Sequence, residues 1–234
     1  MKPLAQCRLY TFVDTAYLDG RDPVELARQL CAGGSDLIQL RAKGAAPDEI
    51  ARLAERILPV TSDAGIGLVI NDHPDIARAV GAPLCHLGQE DFFDAGYTHA
   101  NEVRNAECGV RNEESSVRVS DSAFRIPHSA LFLGLSTHAP EQAQRALDAG
   151  PDYIAIGPVF ATPTKPGRPP VTLDYVRWAA ANVVIPWFAI GGITLDTVDQ
   201  VLAAGATRIC VVSAILRAPD IAEACRQFRR RLGD

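Results

Sequence analysis

The sequence lacks several features that would direct its reading elsewhere. It has no basic run, and 23 Lys+Arg against 28 Asp+Glu leave a net charge of −5, which argues against nucleic acid as a partner. Any anion must therefore be gripped locally, by placed residues. The longest apolar run, IPWFAIGGI, falls well short of the roughly 20 residues that a membrane-spanning helix needs. The opening MKPLAQCRLYTFVD carries one lysine and no apolar core of signal-peptide length, so a soluble, cytoplasmic protein without a membrane partner is expected. Six cysteines (Cys7, Cys31, Cys85, Cys108, Cys210 and Cys225) form no C-x-x-C pair. Cys7, Cys85 and Cys210 sit in apolar runs, as buried reduced thiols do, so neither disulfides nor structural zinc is expected. No Ser-His-Asp order and no metal-binding histidine spacing is present, which removes the usual signs of nucleophilic hydrolysis.

What is there is a repeating pattern. The 234 residues are 47% hydrophobic, enough for one large core, and a single domain spanning residues 1–234 is the expectation. Short apolar runs recur: CRLYTFVD (7–14), DLIQLRAK (36–43), GLVINDH (67–73), LCHLGQED (84–91), LFLGLSTH (131–138), YIAIGPVF (153–160), VIPWFAIGG (184–192) and RICVVSAIL (208–216). Between them lie helical segments opened by proline or a capping residue and closed by glycine: Asp22-Pro23 to Gly33, Pro74 to Gly81, Pro140 to Gly150 and Thr194 to Gly205. Eight strands alternating with helices predict an α/β fold, a closed (β/α)8 barrel of the TIM type. An open doubly wound sheet is the alternative. Residues 92–130, between strands 4 and 5, are longer than one helix needs and rich in mixed charge, and read as a solvated insertion rather than a lid.

Each strand begins apolar and ends polar, and in such a barrel all C-terminal strand ends gather on one face. Asp72 and Asp91 end successive strands, a placement suited to a hard divalent cation such as Mg²⁺ that also takes substrate phosphate oxygens. Taken singly, Asp72 could instead be a helix cap before Pro74 and Asp91 a solvated turn residue. Gln39, Arg41 and Lys43 alternate onto one side of strand 2. The two cations, joined by Lys165 from the loop GPVFATPTKPG, could neutralise a diphosphate, or could be rim salt-bridge partners. Gly191-Gly192 with a helix start at Thr194, together with VVSAIL, offers backbone N–H groups after strands 7 and 8, where barrel enzymes often seat a monophosphate. His86, inside an apolar strand, reads as an inner-layer histidine rather than a base, and His138 as a capping residue at a helix start.

QLRAKG, IND, HLGQED, GLSTH, GPVFATPTK, AIGGI and VVSAI, in this order and spacing, resemble the thiamine-phosphate synthase family from about residue 8 to residue 216. The resemblance implies a (β/α)8 barrel that joins hydroxymethylpyrimidine diphosphate to thiazole phosphate and releases pyrophosphate with Mg²⁺. It implies that Gln39, Arg41, Lys43, Asn71, Ser136 and Lys165 bind the pyrimidine diphosphate, with Arg41, Lys43, Ser136 and Lys165 closest to the chemistry. Asp72 and Asp91 would hold Mg²⁺, and Thr162, Thr164, Gly192, Val212 and Ser213 would receive the thiazole phosphate. The family often self-associates, so a homo-oligomer is admitted, although no interface stripe stands out. One departure is Ala42, where the family usually carries an acidic residue; alternation should turn it away from Arg41 and Lys43, so activity is expected to survive. Rival readings are the related thiazole tautomerase, a non-catalytic precursor-binding barrel, and an unrelated phosphate-binding barrel such as an aldolase using Lys43.

Overall fold

Parallel strands covered on both sides need near-continuous apolar runs, and LYTFVD, every residue of it buried, forms β1 (Leu9–Asp14). Asp22 then caps α1 (Pro23–Ala32), accepting hydrogen bonds from the backbone N–H of Val24 and Glu25. The unit repeats through β2 (Leu37–Arg41), α2 (Pro47–Asp63), β3 (Gly67–Asn71), α3 (Pro74–Val80) and β4 (Leu84–Gly88). Two short helices follow, α4 (Gln89–Asp94) and α5 (Ala100–Asn105), before β5 (Phe132–Thr137), α6 (Pro140–Asp148) and β6 (Tyr153–Ile156). The chain ends through α7 (Thr172–Asn182), β7 (Trp187–Ile190), α8 (Val198–Ala203), β8 (Ile209–Cys210), α9 (Ser213–Leu216) and α10 (Ile221–Leu232). The computed structural model describes residues 1–106, 131–162 and 170–233. Residues 107–130 of the expected insertion, and Thr164 and Lys165, lie outside them. No helix among the described residues is long and apolar enough to cross a membrane.

The eight strands pair in sequence order, all parallel, and close into a barrel through β1 and β8. This is the (β/α)8 architecture, and the open sheet is set aside. The barrel interior is packed with rings: Tyr10, Tyr153 and Phe188 meet edge to face at centroid separations of 5.4 to 6.2 Å. Gly134 makes room for this cluster, because a Cβ there would lie 2.1 Å from Cζ of Tyr153, its registered partner on β6.

Several expected boundaries shift. Strand 4 stops at Gly88, not Asp91, because Gln89-Glu90-Asp91 begins α4, where acidic residues in the first turn complement the helix dipole. Strand 8 is two residues long, since Ser213–Leu216 is helical although VVSAIL reads as an apolar strand. Strand 6 stops at Ile156, yet its continuation stays clipped to β7 by Val159 N–H to Ile190 O (2.9 Å) and Phe160 N–H to Gly191 O (3.0 Å). The helix expected to start at Thr194 starts at Val198, while Thr194 is engaged in a turn with Thr197.

Candidate active site

The mouth at the C-terminal ends of the strands opens into a cleft lined by residues from all eight strands or the loops that follow them, the place where barrel enzymes build their sites. Strand 2 contributes Gln39 and Arg41, and the turn beyond it contributes Lys43. Asn71 and Asp72 come from the end of β3, Asp91 from the first turn of α4, and Ser136 from β5. Thr162, Gly192, Val212 and Ser213 close the opposite side. These residues, scattered from 39 to 213, therefore line one cavity. Ala42 is buried and does not line this cleft; it lines a neighbouring pocket that Lys43, Asn71 and Asp72 also border.

Arg41 is held from behind. Its Nη1 donates to Oδ2 of Asp14 at 2.7 Å, and the Asp14 side chain is only 1% exposed. The register explains the meeting, since Asp14 is the β1 partner of Arg41 and Phe12 that of Gln39. Sequence reasoning overlooked Asp14, although the polar end of the first strand was the available signal. Lys43 is more than half exposed and lies 3.8 Å from Oδ2 of Asp72, so it is a mobile point charge where Arg41 is a fixed fork.

Asp72 is not the cap of the following helix. The capping position of α3 belongs to His73, while Asp72 sits at φ 64° and its Oδ2 accepts a 2.6 Å hydrogen bond from Nδ2 of Asn71. A non-glycine residue in that left-handed region is uncommon and marks a constrained position. No group of three or more His, Cys, Asp or Glu that could hold a metal occurs among the described residues. Two carboxylates on one rim, with substrate oxygens and water completing the shell, still fit a hard cation of the Mg²⁺ type, which is seldom caged by protein alone.

The far wall depends on Gly191 and Gly192, at φ 103° and 66°. A Cβ on Gly191 would lie 2.4 Å from Cβ of Pro158, and one on Gly192 2.7 Å from the carbonyl oxygen of Ala161. Only glycine gives this backbone both its handedness and its close approach to the loop after β6. His138 also lines the cleft, but it does not cap α6, whose capping position is Ala139. Its Nδ1 meets the carbonyl oxygen of Gly157, tying the end of β5 to the same loop. His86 is buried and bonded through Nδ1 to the Tyr153 hydroxyl (3.1 Å), in keeping with an inner-layer residue, although it reaches the cleft floor as well. Cys210 lies on that floor too, and burial pushes its thiol well above the usual range.

Comparison with known proteins agrees with this geometry. The sequence profile of the family described as thiamine monophosphate synthase matches residues 9–106 and 114–215. A thiamine-phosphate synthase of Thermus thermophilus is 46% identical over 202 residues, which cover 86% of this chain and 84% of the relative. That of Acidothermus cellulolyticus is 42% identical over 231 residues, covering 98% and 96%. Among solved structures, a thiamine phosphate pyrophosphorylase from Pyrococcus furiosus superimposes with a TM-score of 0.75 at 25% identity, over 99% of this chain and 98% of that one.

Proposed function

Because the chain belongs to the thiamine-phosphate synthase family and is accordingly a transferase, we propose that its barrel mouth couples hydroxymethylpyrimidine diphosphate to thiazole phosphate in a Mg²⁺-dependent ionisation. The observation that carries this reading is the convergence of two carboxylates, Asp72 and Asp91, with the cations Arg41 and Lys43 in one cleft. A simple phosphate binder has no use for such a combination, whereas a diphosphate leaving group needs both. Among the described residues the free cysteines Cys7, Cys85, Cys210 and Cys225 are buried, which supports a cytoplasmic setting.

Asp72 and Asp91 would hold Mg²⁺, which when bound neutralises charge on the diphosphate oxygens. The chain's own residues do the rest. Arg41, braced by Asp14, presents its guanidinium to phosphate oxygens in a fixed orientation, and Lys43 follows the charge as it shifts. Lys165 is assigned to the same diphosphate. As the C–O bond breaks, the electron pair leaves with the diphosphate, and the electron-rich pyrimidinylmethyl cation remains between Gln39, Asn71 and Ser136. The ring nitrogen of the thiazole, whose phosphate is assigned to Thr162, Thr164, Gly192, Val212 and Ser213, donates its lone pair to that carbon. This nitrogen carries no proton, so the site needs no general base. Preorganised donors of this kind are each worth about 10²- to 10³-fold in rate.

Pyrophosphate release from the two substrates, followed with and without Mg²⁺ in the wild type and in Asp91→Ala, tests the reading. Release should require both substrates and the metal, and should drop about 100-fold or more in the variant. A folded wild-type protein that releases none would overturn it.

A further inference from the structure

Behind Gln39, four buried side chains from four strands form a chain of hydrogen bonds across the barrel. Nε2 of Gln39 (β2) donates to the hydroxyl of Tyr10 (β1). That hydroxyl lies 3.3 Å from the hydroxyl of Tyr153 (β6), which lies 3.1 Å from Nδ1 of His86 (β4). Gln39, Tyr10, Tyr153 and His86 are 3%, 1%, 0% and 8% exposed. Burial raises both phenols well above their ordinary range, so each keeps its proton.

A phenol has one proton to give, so where each link holds one proton and neither phenol accepts from both neighbours, a single direction runs through the whole chain. If Gln39 donates to Tyr10, the Tyr10 proton points to Tyr153 and the Tyr153 proton to Nδ1 of His86. His86 must then hold its own proton on Nε2. Reversing the direction would require Nδ1–H on His86 and would turn the carbonyl of Gln39 toward Tyr10. The amide orientation of a residue that lines the cleft and the tautomer of a histidine across the barrel are thus one variable.

We propose that Tyr10 and Tyr153 are positioning residues for substrate selection: the relay commits the amide nitrogen of Gln39 to the barrel interior and keeps its carbonyl oxygen for the exocyclic amino group of an aminopyrimidine. An oxo-pyrimidine in the same place sets oxygen against oxygen and is rejected. Sites built to hydrogen-bond one substrate group discriminate strongly, because the wrong analogue leaves a buried polar group unpaired. The identity of the ligand rests on the synthase reading, but the direction of the relay does not.

Calorimetric Kd values for 4-amino-2-methyl-5-hydroxymethylpyrimidine diphosphate and its 4-oxo analogue, taken without thiazole phosphate on the full chain, test the proposal. The wild type should prefer the amino compound, and Tyr10→Phe and Tyr153→Phe should each reduce that preference at least tenfold. A ratio measured on one preparation is insensitive to partial unfolding. In parallel, ¹⁵N NMR of the wild type should find the His86 proton on Nε2. No preference in the wild type, an unchanged ratio in both variants, or a proton on Nδ1 would each overturn the proposal. Selective binding by a wild type that fails to couple the pyrimidine to thiazole phosphate would instead reject the synthase reading while leaving the relay in place.

Discussion

Arg41 reaches the cleft already paired with Asp14, whose carboxylate is buried and also accepts from the backbone N–H of Ala16 at 3.0 Å. An arginine anchored at both the strand and the guanidinium loses little freedom when a phosphate arrives, and this preorganisation is worth affinity that an untethered side chain forfeits. Asp14→Asn keeps the shape and removes the charge. It should lower kcat/KM for the pyrimidine diphosphate about 10- to 100-fold while leaving KM for thiazole phosphate within about twofold, as steady-state kinetics with each substrate varied would show. Equal effects on both substrates would mean that Asp14 serves the fold rather than Arg41.

Among the elements, β5 and β6 meet closely inside the barrel, since Gly134 lies against the ring of Tyr153. Gly134→Ala should destabilise the protein by about 1–3 kcal/mol in a urea titration, as overpacking does, and should also weaken the relay that Tyr153 carries. The strands themselves were legible in the sequence because buried parallel strands are apolar throughout and end in polar residues. Where strands stop was less so. Gln89-Glu90-Asp91 and Ser213 to Leu216 carry strand-like neighbours, but a favourable acidic first turn and the short α9 claim them instead. Helix α2 lies outside the segments read from punctuation, and it carries Pro59 in its interior, a residue that ordinarily argues against a helix. The rim residues were readable from their position at strand ends. Asp14 stood at such a polar strand end too, but its partnership with Arg41, like the Tyr10–Tyr153 pair, depends on cross-barrel register, which no local pattern encodes.

At the scale of the whole molecule, one carboxylate fastens the face opposite the cleft. Asp36, just before β2, accepts from Lys2 Nζ (2.6 Å), Arg229 Nη1 of α10 (2.6 Å) and the backbone N–H groups of Arg8 (2.8 Å) and Leu9 (3.1 Å). Burial acts to raise its pKa, but the bonds from Lys2, Arg8 and Leu9 and the charge of Arg229 together bring it below the usual carboxylate value. A folded-state pKa below the unfolded one contributes stability that is present above the unfolded value, about 3.9, and is lost as pH falls through the folded value. Thermal midpoints should therefore fall in the wild type as pH drops from about 5 toward 2, with a shallower slope in Asp36→Asn. At neutral pH that variant should be about 2–3 kcal/mol less stable, near the lower limit for a broken buried pair because Lys2 is half exposed. The same clasp gathers the two ends of the described chain beneath the barrel. A tether or fusion attached at either end would then act as a handle on the underside, and an immobilised layer of this protein would turn its open mouths toward the solution.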